Sequence, residues 1–328
     1  MENSIISVKN LNKTYKYSSK KAGLFESAKH LFRSDDKITE AVREINFEIG
    51  AGEFVGFIGP NGAGKTTTLK MLSGILTPTS GQALVLGYKP WERKAEYQKQ
   101  FALVMGQKNQ LWWDLPPIES FVLHREIYEI EKSSFEKNLE ELVKLLKVEN
   151  VVEKPVRQLS LGERMKCELI NALLHDPKVL FLDEPTIGLD VVAQKNIRDF
   201  LIKYNQEKKT TIILTSHYMR DILQLCSRVV VINLGKIVYD GLLEDLTIAY
   251  ALEKIITVYF EREVSRRELE VFGEIDQFDG FKVVIKVPRE KLKETAVNIL
   301  SSNLPVEDID IGEEEIEKIV RHIFAKKN

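Results

Sequence analysis

Cysteine is nearly missing from this chain: two in 328 residues, Cys167 and Cys226. Two thiols so far apart make no disulfide framework, which excludes a small stapled secreted fold and fits a reducing cytosol. Both lie in helix-like segments beside apolar neighbours and read as small core side chains. The sequence also lacks any apolar run near the ~18 residues of a membrane span. Its opening, MENSIISVKNLNKTY, has neither the basic start nor the apolar stretch of a signal peptide. The expectation is a chain that is soluble by itself. An excess of one charge is absent too, since 47 Lys and Arg face 49 Asp and Glu for a net −2. That balance gives no global pull toward nucleic acid or anionic lipid, so contact with either would need a local patch. Low-complexity sequence is scarce and no repeat of solenoid length is visible.

What is present is strand–helix alternation. A short alternating strand, IISVKNL, is followed by Tyr15, and the pattern then breaks over residues 18–40. Strand patterns return at 41–49 and in EFVGFIG, which runs through a glycine-rich turn into the helix KTTTLKMLSGIL. Residues from about 91 to 174 are mostly helical in period, with FALVMGQ as an embedded strand. Further strands read at VLFLD, TIILTSH, RVVVINLG and KIVYDG. Such alternation predicts an α/β core with a mainly parallel sheet over residues 1–245. From 246 to 328 three strand patterns and two helical ones predict a separate accessory α+β module, for which a ferredoxin-like topology is one solution.

Two motifs carry chemistry. Gly59, Pro60, Asn61, Gly62, Ala63, Gly64, Lys65 and Thr66 fit G-x-x-x-x-G-K-[ST] between a strand and a helix, the context that pattern demands. Backbone N–H groups there wrap phosphates and the helix N-terminus adds positive potential. Lys65 would reach the β- and γ-phosphates, the Thr66 hydroxyl would ligate Mg²⁺, and Thr67 follows on the same turn. The second motif is VLFLDEP, a buried strand ending in two acids. Asp183 would hold Mg²⁺ through water, and Glu184 would act as general base on the attacking water. A DEP alone is more often a surface turn; beside a phosphate loop it becomes a catalytic pair.

With GPNGAGKTT, LSLGERMK, VLFLDEPTIGLD and TSH in this order, the chain resembles the ATP-binding cassette (ABC) ATPases over about residues 5–245. That resemblance implies a P-loop core with a helical subdomain, two nucleotide-binding domains stacked head to tail, and an integral membrane permease as partner. It also implies that the helix mouth at Ser160 and Gly162 closes over the ATP of a second copy. Tyr15 looks like the aromatic that stacks on adenine. Gln107 looks like the Q-loop glutamine that senses Mg²⁺ and is preferred to Gln110 on spacing. Asp190 resembles the D-loop residue that crosses the interface, and His217 the switch histidine that contacts the γ-phosphate. The motif style is closest to ATPases paired with separate permeases in drug, antibiotic or polysaccharide export, acting at the cytoplasmic face of the membrane. The competing class is a soluble cassette ATPase working in translation or on DNA. One cassette, no sustained heptads and no basic stripe disfavour it, and no nucleic-acid partner is expected.

The signature departs from the family's LSGGQ at Leu161 and Glu163. A left-handed leucine would cost roughly 1–2 kcal/mol, so a negative φ is expected at Leu161. A carboxylate against phosphate would repel, so Glu163 is expected to turn away; Ser160-x-x-Glu163 fits a capping box that would give it local work. Two features stay open. In the 18–40 insertion, Leu24, Phe25, Ala28, Leu31 and Phe32 share one helical face, with four Lys/Arg against one Glu between Ser18 and Arg33. That face suits a membrane surface or the ATPase core. Trp112 and Trp113 suit either an interface or subdomain packing.

Overall fold

The computed structural model describes residues 4–18, 36–216, 218–250 and 253–313. His217, the helical face at 24–32 and the C-terminal helical pattern from 314 lie outside the described residues. The chain divides into two compact units, Met1–Leu242 and Leu243–Asn328.

The first unit holds two sheets. β1 (Ser4–Ser18) and β2 (Asp36–Gly50) pair antiparallel from Ser4↔Gly50 to Ser18↔Asp36, and β4 (Ser80–Val85) adds to the other side of β1. The expected strand edges were therefore too tight. β1 runs on through Tyr15, and β2 begins before residue 41 in what was read as insertion. Those extensions alternate Lys with Tyr, Thr and Ile, so they show β-propensity without the apolar face that marks a core strand. β4 was missed for a similar reason: only Ala83 and Val85 face inward.

The second sheet has the order β5-β6-β7-β3-β8-β9, formed by β3 (Phe54–Ile58), β5 (Phe101–Met105), β6 (Val179–Asp183), β7 (Thr211–Thr215), β8 (Arg228–Asn233) and β9 (Lys236–Leu242). All neighbours are parallel except β8–β9. β3, β6 and β7 are buried along their whole length, as expected for parallel strands covered on both faces. Phe47 and Phe57 meet edge to face in the core that joins the two sheets, with Ile6, Val8, Leu69, Met71 and Phe181 around them.

Six helices supply the frame for the site. α1 (Lys65–Leu72) follows β3 directly. α2 (Pro117–Tyr128), α3 (Lys132–Leu146) and α4 (Leu161–Leu173) make the helical part. Short helical turns at Pro90–Glu92 and Ala95–Gln98 precede it, and between them and α2 lies β5, the embedded strand, which belongs to the core sheet. α5 (Val191–Lys208) and α6 (Met219–Leu225) follow β6 and β7. Cys167 and Cys226 are both buried, and burial pushes the Cys167 thiol up to about 12.

The second unit opens with α7 (Leu243–Tyr250). β10 (Glu253–Phe260), β11 (Glu274–Phe278), β12 (Lys282–Pro288) and β13 (Val306–Glu313) then form a sheet of order β11-β12-β10-β13, every neighbour antiparallel. A short helix at Arg266–Leu269 links β10 to β11, and α8 (Leu292–Leu300) links β12 to β13. This βαββαβ order is the ferredoxin-like one. Ile256, Val258, Val283, Ile285 and Ile299 pack its core.

Candidate active site

Parallel strands point their carboxyl ends the same way, and three of them converge here. β3 ends at Ile58 ahead of the phosphate loop, β6 ends on Asp183, and β7 ends on Thr215. Open α/β sheets place ligand clefts outside such strand ends. Asn61, Gly62, Ala63, Gly64, Lys65, Thr66, Thr67, Gln107, Asp183 and Glu184 line one cavity of about 460 Å³, together with Lys70, Met105 and Lys108. Ten of the residues picked from the sequence thus meet in one place.

The loop's shape is dictated by Gly64, the residue before α1. Its φ is 112°, and a Cβ there would lie 2.5 Å from the carbonyl oxygen of Ala41. Lys65 is nearly buried, and its Nζ donates to the carbonyls of Gly59 (2.6 Å) and Pro60 (3.1 Å). Burial lowers its pKa from the ordinary lysine value, against the upward pull of Glu184 and Asp183. Thr66 Oγ1 donates to Asp183 Oδ1 at 2.9 Å, and Thr215 Oγ1 donates to the same oxygen at 2.8 Å. Glu184 follows with a left-handed φ of 56°. Its backbone N–H reaches Thr215 Oγ1 at 3.1 Å. A non-glycine residue held in that region stores strain, which accumulates at functional sites.

The strand end and the Q-loop are in backbone contact. Gly106 N–H donates to the Asp183 carbonyl at 2.8 Å, and a Cβ on Gly106 would lie 2.0 Å from the Glu184 carbonyl oxygen. Only glycine permits that approach. It delivers Gln107 to the cavity, whereas Gln110 is tied elsewhere: its Nε2 donates to the Leu103 carbonyl at 2.6 Å. Glu168 on α4, unremarked in the sequence, anchors the far end of this loop. Its Oε1 accepts the backbone N–H of Gln110 at 2.9 Å and of Leu111 at 3.3 Å. Burial raises the Glu168 pKa, opposed by those two N–H groups. In the sequence it is only a charge at helical spacing between Met165 and Ala172, with nothing local to show which groups it holds.

Other candidates sit outside the cavity. Tyr15 is exposed on β1 under Lys13, whose Nζ is 5.4 Å from the ring centre, and does not line the cavity. Ser160 and Gly162, at the mouth of α4, do not line it either. Ser160 caps α4 and forms the reciprocal box with Glu163: Glu163 Oε2 accepts the Ser160 N–H at 2.9 Å and its Oγ–H at 2.8 Å. Those bonds lower the Glu163 pKa, the backbone one most. Leu161 has helical backbone and is absent from the positive-φ residues. Gly162 has a packing reason to be glycine, for a Cβ would lie 2.9 Å from that of Ala193. Asp190 caps α5, its Oδ1 accepting the Ala193 N–H at 2.8 Å.

Residues 42–187 match the family model described as ABC transporter, and residues 253–312 match that of the EvrA-like ABC transporter, C-terminal domain. The chain is 33% identical over 215 residues to the ABC transporter ATP-binding protein NatA of Bacillus subtilis, covering 66% of this chain and 87% of that one. This chain belongs to the ABC transporter ATP-binding proteins. The cassette is also 31% identical over 240 residues to the bacitracin transport ATP-binding protein BcrA of Bacillus licheniformis, covering 73% and 75% of the two chains. Its fold overlays cbiO1 from Clostridium perfringens, part of the ABC transporter complex cbiONQ, with a TM-score of 0.62 and 26% identity over 75% of this chain and 92% of that one. The cassette is therefore an ATPase that binds ATP. No helix among its described residues is long and apolar enough to cross a membrane.

Proposed function

We propose that this cassette drives an exporter, working at the cytoplasmic face of a membrane as one of two ATP-closed copies beneath a permease. The carrying observation is a division of the site. Phosphate-binding and acidic residues share one cavity, while the capped mouth of α4, with Ser160 and Gly162, stands outside it. A second copy, stacked head to tail, would bring its own Ser160 and Gly162 to this chain's ATP and complete the site. The likeness to a bacitracin transport protein supports a role in transport, and the export direction follows the style of the motifs.

In this reading the phosphate loop and Lys65 bind and neutralise the triphosphate, which is most of what phosphoryl transfer asks of a protein. Glu184 holds the attacking water and takes its proton. Gln107 senses Mg²⁺ and links the site to the permease, and His217 contacts the γ-phosphate. Thr66, Gln107 and Asp183 line one cavity, and oxygen donors of this kind suit a hard cation such as Mg²⁺. Thr66 and Gln107 would hold it, Asp183 would stand behind, and it would spread the charge of the phosphates. Tyr15 would stack on adenine from outside the cavity.

The test is to tag the cassette, purify it from detergent-solubilised native membranes and identify what accompanies it. A polytopic membrane protein in equal amount is the expected result. Ribosomes or DNA-repair proteins without any membrane subunit would overturn the transporter role while leaving the ATP chemistry intact.

A further inference from the structure

Asp221, on α6, is fully buried, yet the ATP chemistry above makes no use of it. Its two carboxylate oxygens gather side chains from three separate segments. Oδ1 accepts Nη1 of Arg198 on α5 at 2.7 Å, an arginine that is itself only 1% exposed. Oδ2 accepts the hydroxyl of Thr186, two residues past Glu184, and the hydroxyl of Ser216 at 2.9 Å. Ser216 Oγ in turn accepts the N–H of Tyr218 at 3.0 Å. Ser216 and Tyr218 are the chain neighbours of His217 on either side. A buried carboxylate with three side-chain donors costs desolvation that a leucine would not, so packing alone does not account for it.

We propose that Asp221 is a positioning residue that locks the backbone flanking His217 to the segment after Glu184 and to the helix that follows the D-loop. Through this one carboxylate, the base-bearing strand end, the γ-phosphate-sensing segment and the helix that starts at Asp190 share a fixed register. Disturbing it slows turnover while leaving the phosphate loop, and so ATP binding, untouched. The proposal rests on the reading of His217 as the γ-phosphate contact.

Three variants test it in purified full-length cassette, with steady-state ATPase, binding of a fluorescent ATP analogue and thermal melting measured for each. Ser216→Ala removes the link to the His217 segment but leaves the Asp221–Arg198 pair intact. It is expected to lower kcat by roughly 10-fold to 100-fold, with KM, analogue affinity and melting temperature close to wild type. Asp221→Asn is expected to lower kcat at least as far. If Asp221→Asn fails to fold, Ser216→Ala still decides the matter. A wild-type kcat for Ser216→Ala, or a loss confined to melting temperature, would overturn the proposal. His217→Ala separates the two readings. A full kcat there would sink the switch-histidine role and this inference with it. A dead His217→Ala beside an active Ser216→Ala would sink this inference alone.

Discussion

Glu163 is the side chain on which the activity of a variant signature turns. Its carboxylate is held by the N–H and hydroxyl of Ser160 and so stays with its own helix. Losing the charge there removes no phosphate contact and keeps a side-chain acceptor for the cap. Glu163→Gln is therefore expected to retain ATPase activity within a few-fold, whereas Ser160→Arg, which fills the helix mouth, is expected to abolish it. Steady-state phosphate release measures both, and a silent Glu163→Gln would mean the acid does chemistry. Capping was legible in the sequence because a capping box is local: four consecutive residues contain both halves of it. Glu168 and Asp221 were not, because their partners lie 58 and 23 residues away. No local pattern marks a carboxylate whose donors come from other elements.

At the scale of elements, the helical part is tied to the core sheet by an aromatic stack of one buried and two half-buried rings. His124 of α2, Tyr128 of α2 and His175 beyond α4 have ring centres 4.1 to 5.2 Å apart. His124 Nε2 faces His175 Nδ1 at 3.1 Å, and His175 Nε2 faces the Phe101 carbonyl at 3.1 Å. The carbonyl can only accept, so His175 carries its proton on Nε2 and its Nδ1 accepts from His124. Both rings are then neutral. Burial pushes His124 down to about 3 and His175 down to about 4, with His175 adding to the shift at His124. The folded state thus binds fewer protons than the unfolded chain below pH 6.5. Stability is full above that pH and falls as pH drops from 6.5 toward 4. Melting curves across that range are expected to show the decline, and His124→Phe to flatten it; an equal slope in both proteins would place the effect elsewhere. The loop anchored by Glu168 belongs to the same scale. Glu168→Ala leaves two N–H groups without their acceptor and is expected to cost about 1–3 kcal/mol in urea unfolding.

For the whole molecule the prediction concerns assembly. Glu184→Gln keeps the shape of the site and removes the proposed base, so hydrolysis is expected to fall by roughly 100-fold or more while ATP binding persists. With ATP and Mg²⁺ this variant is expected to elute as a dimer by size exclusion with light scattering, and without nucleotide as a monomer. A monomer under both conditions would remove the head-to-tail pairing from the mechanism. Added Ser160→Arg in the same protein is expected to return it to a monomer.

The sequence by itself determined the parts whose physics is local or strongly periodic. The phosphate loop is one contiguous segment between a strand and a helix, so its chemistry could be read without knowing what else surrounds it. Four apolar residues before Asp183 and Glu184 specified a buried strand, and the break near residue 246 marked a module with its own alternation. Strand edges were less legible, because the outer ends of β1 and β2 form a ribbon whose β-branched and aromatic residues alternate with lysine rather than facing a core. Tertiary structure alone decided which carboxyl ends meet: sheet order places β3 beside β7 and β7 beside β6, and that order, set by non-local packing, brings Thr66 and Thr215 to one oxygen of Asp183. It decided as well that Gly106 must be glycine, and that Asp221 would bind three segments at once. Each of these depends on atoms far apart along the chain, and only the folded backbone fixes the distance between them.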